Sequence, residues 1–137
     1  MILNILNKYK VFWTIVFYFW VVMIIVFTSI SFSADMKKQN EGGFRFDYLE
    51  HFILYAAIPV IYFLAKGAFL DRVIKDRYYI ILLGILFSLL TEIQQYFIPT
   101  RSFNPVDLIL NIAGFLVGLL VVKYLIAKFI DSSEKGK

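Results

Sequence analysis

The sequence predicts an all-α, polytopic membrane protein, a four-transmembrane-helix antiparallel bundle, and three observations point to it. Hydrophobic residues make up 61% of the 137 positions, and charged residues 18%, against roughly 25% in soluble domains. The mean hydropathy is +0.76. The apolar residues also fall in long runs separated by short polar connections, so the solvent that covers them is lipid rather than water. A chain of this length makes a single domain, spanning 1-137.

A helix needs about 20 residues to cross a hydrocarbon core of roughly 30 Å. The first candidate, Val11 to Phe32, carries no charge. Lys8 and Lys10 before it, and Ser31 to Ala34 after it, also fit a cleaved signal peptide, but the run is longer than the h-region of about 7 to 15 residues. The second, Tyr48 to Ala65, holds Glu50 and His51 near one end. The third, Tyr78 to Ile98, is interrupted by Glu92, Gln94 and Gln95, and the fourth, Val106 to Ala127, has Asp107 and Asn111 in its first turns. The connections Asp35 to Asp47, Lys66 to Arg77 and Pro99 to Pro105 are short, which favours antiparallel neighbours.

Cytoplasmic segments retain an excess of lysine and arginine. With the N-terminus inside, Lys8, Lys10, Lys66, Arg72, Lys75, Arg77, Lys123, Lys128, Lys135 and Lys137 are cytoplasmic, leaving only Lys37, Lys38, Arg45 and Arg101 of the 14 on the other side. The expectation is a multi-pass membrane protein with both termini cytoplasmic. That distribution explains the net charge of +4 without nucleic acid as a partner. The absence of cysteine removes disulfides and thiolate metal sites. No Gly-rich phosphate loop follows a strand, and no cofactor is expected.

Polar residues inside the spans fall on single faces. Asp47, His51 and Tyr55 are spaced four apart; Ser88, Glu92 and Gln95 form a stripe; Asp107, Asn111, Gly114 and Gly118 form another. Gly114 and Gly118 are a small-xxx-small pair that permits close helix approach. Counted at 1.5 Å per residue, His51, Glu92 and Asn111 sit at similar depths near the extracytoplasmic end, and the other halves of these helices are almost wholly apolar. Arg101 and Asn104, in the short connection before the fourth helix, can fold over them. A charged residue at a helix centre costs about 2.5 to 3.5 kcal/mol on insertion scales, so these groups need partners. They serve either as an interhelical hydrogen-bond network that pins the bundle or as a binding or catalytic site.

Taken in order, His51 with Tyr55, then Glu92-Ile93-Gln94-Gln95, then Arg101, then Asp107-Leu108 with Asn111, Gly114 and Gly118, the chain resembles the VanZ-like family of bacterial membrane proteins. The resemblance covers roughly Asp47 to Val121. It implies a four-helix envelope protein. The family's name-giving member is associated with resistance to the glycopeptide antibiotic teicoplanin, and the resemblance extends that expectation to this chain.

The residue chemistry adds working roles. His51 changes protonation near neutral pH, Glu92 among apolar neighbours suits proton transfer, and Arg101 offers a planar fork for phosphate or carboxylate. The expected catalytic groups are His51, Glu92 and Asp107. Asp47, Tyr55, Gln95, Arg101, Asn104 and Asn111 are expected to bind the ligand, a membrane lipid or a lipid-linked envelope precursor. A metal held by His51, Glu92 and Asp107 has thin support from a single histidine. An enzyme, a non-catalytic envelope binding or accessory protein, and a small proton-coupled transporter all remain open. The transporter lacks a polar path through the inner halves unless a homo-oligomer supplies it.

Overall fold

The computed structural model describes residues 8–29, 46–66, 77–99 and 103–134. They form four α-helices: α1 Lys10–Ser29, α2 Phe46–Lys66, α3 Arg77–Tyr96 and α4 Pro105–Glu134. Each is long and apolar enough to span a membrane, the shortest span being the 19 residues Tyr78–Tyr96, about 28 Å of helix. The fold is therefore the expected all-α membrane bundle. Ile30 to Phe32, the end of the first expected span, and most of each connection lie outside the described residues, as does Arg101.

The helix ends follow from local chemistry. α3 stops where Phe97 and Ile98 donate to the carbonyls of Gln94 and Gln95, each at 3.1 Å; these tighter i to i−3 bonds close the last turn before Pro99. α4 opens on Asn104, whose Oδ1 accepts from the Val106 N–H at 3.1 Å, with Pro105 at the first helical position. That is an N-cap followed by the proline that a first turn tolerates. α4 then runs on to Glu134, past the expected end at Ala127, because nothing between Lys128 and Glu134 breaks a helix and Gly136 comes only beyond it. Its candidate membrane span ends at Lys128.

Packing departs from simple chain order. α2 lies between α1 and α4, and α3 packs on α4 and α1. The consecutive helices α2 and α3 meet through side chains, Tyr55 with Thr91 and with Phe87, rather than through close backbone approach. The glycines give the reason: a Cβ on Gly114 would strike the Phe52 carbonyl, and one on Gly118 the Ala56 carbonyl. α4 presses its glycine face on the α2 backbone, the close approach that drives association in lipid. On the other side of α4, the Phe115 ring sits where a side chain on Gly84 would be, so α3 is held to α4 by a ring against a glycine.

The first helix does more than lie against this core. Trp20 donates its indole N–H to the Leu54 carbonyl at 3.0 Å, beside the stretch of α2 that Pro59 deprives of a backbone donor. Gln94 of α3 donates to the Ser29 hydroxyl at the end of α1. Large apolar side chains such as Phe19, Leu90, Ile109 and Leu120 are exposed, the surface that a bilayer covers. Half of what is buried is polar, and it gathers at one end.

Candidate functional site

The buried polar residues are Thr28, His51, Ser88, Thr91, Glu92, Gln95, Asp107 and Asn111. All but Thr28 come from α2, α3 and α4, and they meet where the first turns of α2 and α4 face the last turns of α3. His51 stands at the centre. Its Nδ1 lies 2.9 Å from Asn111 Oδ1; an amide oxygen can only accept, so this nitrogen carries a proton and donates. The Asn111 amide nitrogen in turn donates to Glu92 Oε1 at 3.1 Å. Gln95, one turn further along α3, donates to the same oxygen at 3.2 Å.

Both ring nitrogens of His51 have a carboxylate close by. Glu92 Oε1 is 3.9 Å from Nδ1 and Asp107 Oδ2 is 3.9 Å from Nε2. These are charge contacts rather than hydrogen bonds, whose limit is near 3.2 Å. The imidazole thus stands between two buried carboxyl groups. With Nδ1 committed to Asn111, Nε2 is the ring nitrogen left facing Asp107.

Below this junction Tyr55 and Thr91 join their hydroxyls. Thr91 also reaches the carbonyls of Ser88 at 3.0 Å and Phe87 at 3.2 Å, and Ser88 bonds the Gly84 carbonyl at 2.9 Å. Thr91 is therefore a cluster residue that the i, i+4 reading of Ser88, Glu92 and Gln95 left out. Its signal was the spacing of three from Ser88 and four to Gln95.

The structure brings together His51, Glu92, Gln95, Asp107 and Asn111, and places Tyr55 one turn below His51. Asp47 is half-buried in the first turn of α2, one turn above it. Asn104 is the N-cap of α4, so its side chain has a structural task whatever else it binds. The junction is closed, since Glu92 and Asn111 are 0% exposed. Among the described residues, no group of three or more His, Cys, Asp and Glu side chains could hold a metal ion.

Four spanning helices that bury an imidazole and two carboxyl groups at one end define a polytopic membrane protein with an intramembrane polar site. The chain belongs to the VanZ/LLP1 family, whose model matches residues 13–128. That match takes in all four helices, including most of α1, which the motifs alone did not reach. No curated protein and no solved structure matches the chain.

Proposed function

We propose that this protein lies in the bacterial cytoplasmic membrane with both termini inside, so that the His51 junction faces the extracytoplasmic leaflet. There it recognises and acts on the anionic group of a lipid-linked envelope precursor or a glycopeptide-related ligand. A contribution to teicoplanin resistance falls within this reading, on the strength of the family. The observation that carries it is the shared oxygen of Glu92, held by Asn111 and Gln95 while the other face of Asn111 fixes His51. Groups whose protonation can change are costly to bury in lipid and are functional candidates by default; here they are also preorganised.

In this reading His51 exchanges a proton through Nε2, Asp107 stabilises the imidazolium, and Glu92 is the second acid or base. Arg101 supplies the guanidinium that a phosphate or carboxylate pairs with in two parallel bonds. Asp47, Tyr55, Gln95, Asn104 and Asn111 bind around it. Closure of the junction favours a second reading, in which the same network only pins the helices. A proton-coupled transporter is supported less, because the cavity beyond the junction is walled by apolar side chains such as Ile58, Leu83 and Phe115.

Susceptibility to teicoplanin, and to other envelope antibiotics, at measured protein levels in the membrane tests the proposal. Glu92→Gln, His51→Ala and Arg101→Lys lose activity at normal abundance, while Lys37→Ala and Lys38→Ala change nothing. Full activity in all three site variants would leave the network as structural glue. Mass spectrometry of lipid that copurifies with the wild-type protein identifies the ligand class.

A further inference from the structure

Beyond the Tyr55–Thr91 pair the bundle holds a cavity of about 220 Å³. Val21 of α1, Pro59 and Tyr62 of α2, Leu83 and Phe87 of α3 and Phe115 of α4 are among its walls. Apolar cavities of about 150 Å³ stay dry and take up molecules the size of benzene, so one of this volume and character suits hydrocarbon. Hydrocarbon is also what surrounds it. Leu83 is 64% exposed, which puts one edge of the cavity on the lipid-facing surface. α1 and α3 are tied at the junction end through Ser29 and Gln94, and both line the cavity below that tie.

The cavity and the polar junction lie on the same helix stripes. On α2 the series His51, Tyr55, Pro59 runs at intervals of four, and Pro59 is about 12 Å along the helix from His51. On α4 the series Asp107, Asn111, Phe115 does the same. The rings of Tyr55 and Phe87, 5.8 Å apart, stand between the two parts. The same helix faces are thus polar at one end and apolar at the other, with the two rings between, in the order that a lipid presents its head and its chain.

We propose that this cavity receives one acyl chain of a membrane phospholipid, admitted sideways past Leu83, with the polar end of the same molecule directed toward the His51–Asn111–Glu92 junction. The proposal rests on the ligand reading given above and adds where the ligand's chain is held. Burying the chain fixes the molecule's depth, so that its head reaches the junction without a polar path through the bundle.

The test is photolabelling of the full chain in vesicles of phosphatidylethanolamine and phosphatidylglycerol, with some phosphatidylglycerol carrying a diazirine midway along one acyl chain. Adducts concentrate on Val21, Tyr62 and Leu83 relative to Leu86 and Leu90, which are exposed but do not line the cavity. Val21→Trp or Ile80→Trp fills the space and lowers labelling of Tyr62 by about tenfold, while the lipid-facing Leu82→Trp does not. With the diazirine moved next to the glycerol, adducts shift to the junction end of α2, at the half-buried Asp47 and Tyr48. Even labelling of all exposed faces, undiminished Tyr62 adducts in both filling variants, or a label that stays on Tyr62 when moved would each overturn the proposal. Labelling needs no activity, so the two ideas fail separately. Cavity adducts in fully active Glu92→Gln and His51→Ala proteins would sink the catalytic reading alone, and inactive site variants without cavity adducts in the wild type would sink the chain site alone.

Discussion

His51 and Asn111, on helices that are sixty residues apart in the chain, are joined by a hydrogen bond of 2.9 Å from the ring Nδ1 to the amide oxygen. The bond matters because Asn111 is used on both sides. Its nitrogen passes on to Glu92, so one amide fixes the tautomer of the imidazole and orients the carboxylate, and α2, α3 and α4 are linked through a single side chain.

Asn111→Ala deletes both bonds, leaving the His51 N–H short of a partner while the Glu92 oxygen keeps its bond from Gln95. Interhelical hydrogen bonds in membranes average only about 0.6 kcal/mol, with a maximum near 1.7, and a buried group left unsatisfied costs roughly 1–3 kcal/mol. The expected loss is about 1–3 kcal/mol in unfolding of the purified protein in detergent. A variant as stable as wild type would mean that the three side chains do not depend on one another.

Gly114→Leu and Gly118→Leu act on the same junction without touching a polar group. Their side chains would enter the space of the Phe52 and Ala56 carbonyls, and backbone cannot move aside as a flexible side chain can. Overpacking costs roughly 1–3 kcal/mol, and separation of α2 from α4 also lengthens the His51–Asn111 bond. Both variants are expected to melt lower than wild type and to lose activity together with stability. Glu92→Gln, in contrast, loses activity alone.

The polar stripes were legible in the sequence because lipid makes their burial obligatory: residues four apart share a helix face, and a charged face has nowhere to point but inward. Much else was not. Thr91 gave only its spacing from Ser88 and Gln95, since a threonine in a helix satisfies its own hydroxyl on the preceding turn, and that it meets Tyr55 is decided between helices. Trp20 read as one more apolar residue of α1, yet its N–H serves the Leu54 carbonyl of α2. The small-xxx-small pair announced a close contact without naming the partner, and the placing of α4 beside α2 depends on which face the glycines meet.

Orientation has its own direct test, because the chain has no cysteine. A single cysteine at Asp71 is expected to be shielded from an impermeant thiol reagent in intact cells, and one at Lys37 to be labelled, as the distribution of lysine and arginine demands. The opposite pattern would put the His51 junction on the cytoplasmic side and remove envelope ligands from consideration.

Tyr55 and Thr91 give the sharpest energetic prediction, because the two partners do not lose equally. Thr91 can donate to the Ser88 or Phe87 carbonyl, and this leaves its oxygen to accept from Tyr55. Tyr55→Phe takes away a donor, but the threonine hydroxyl keeps its carbonyl partner, so the cost is the net worth of one bond, roughly 0.5–1.5 kcal/mol. Thr91→Val instead takes one acceptor from the Tyr55 hydroxyl, in a side chain that is 0% exposed, and strands it on the Ser88 hydroxyl alone, at roughly 1–3 kcal/mol. Adding Tyr55→Phe to Thr91→Val removes the stranded hydroxyl and is expected to restore part of the loss. Unfolding of the two single variants and the double variant in the same detergent gives the coupling. Equal single losses that simply add in the double variant would show that the two hydroxyls do not meet.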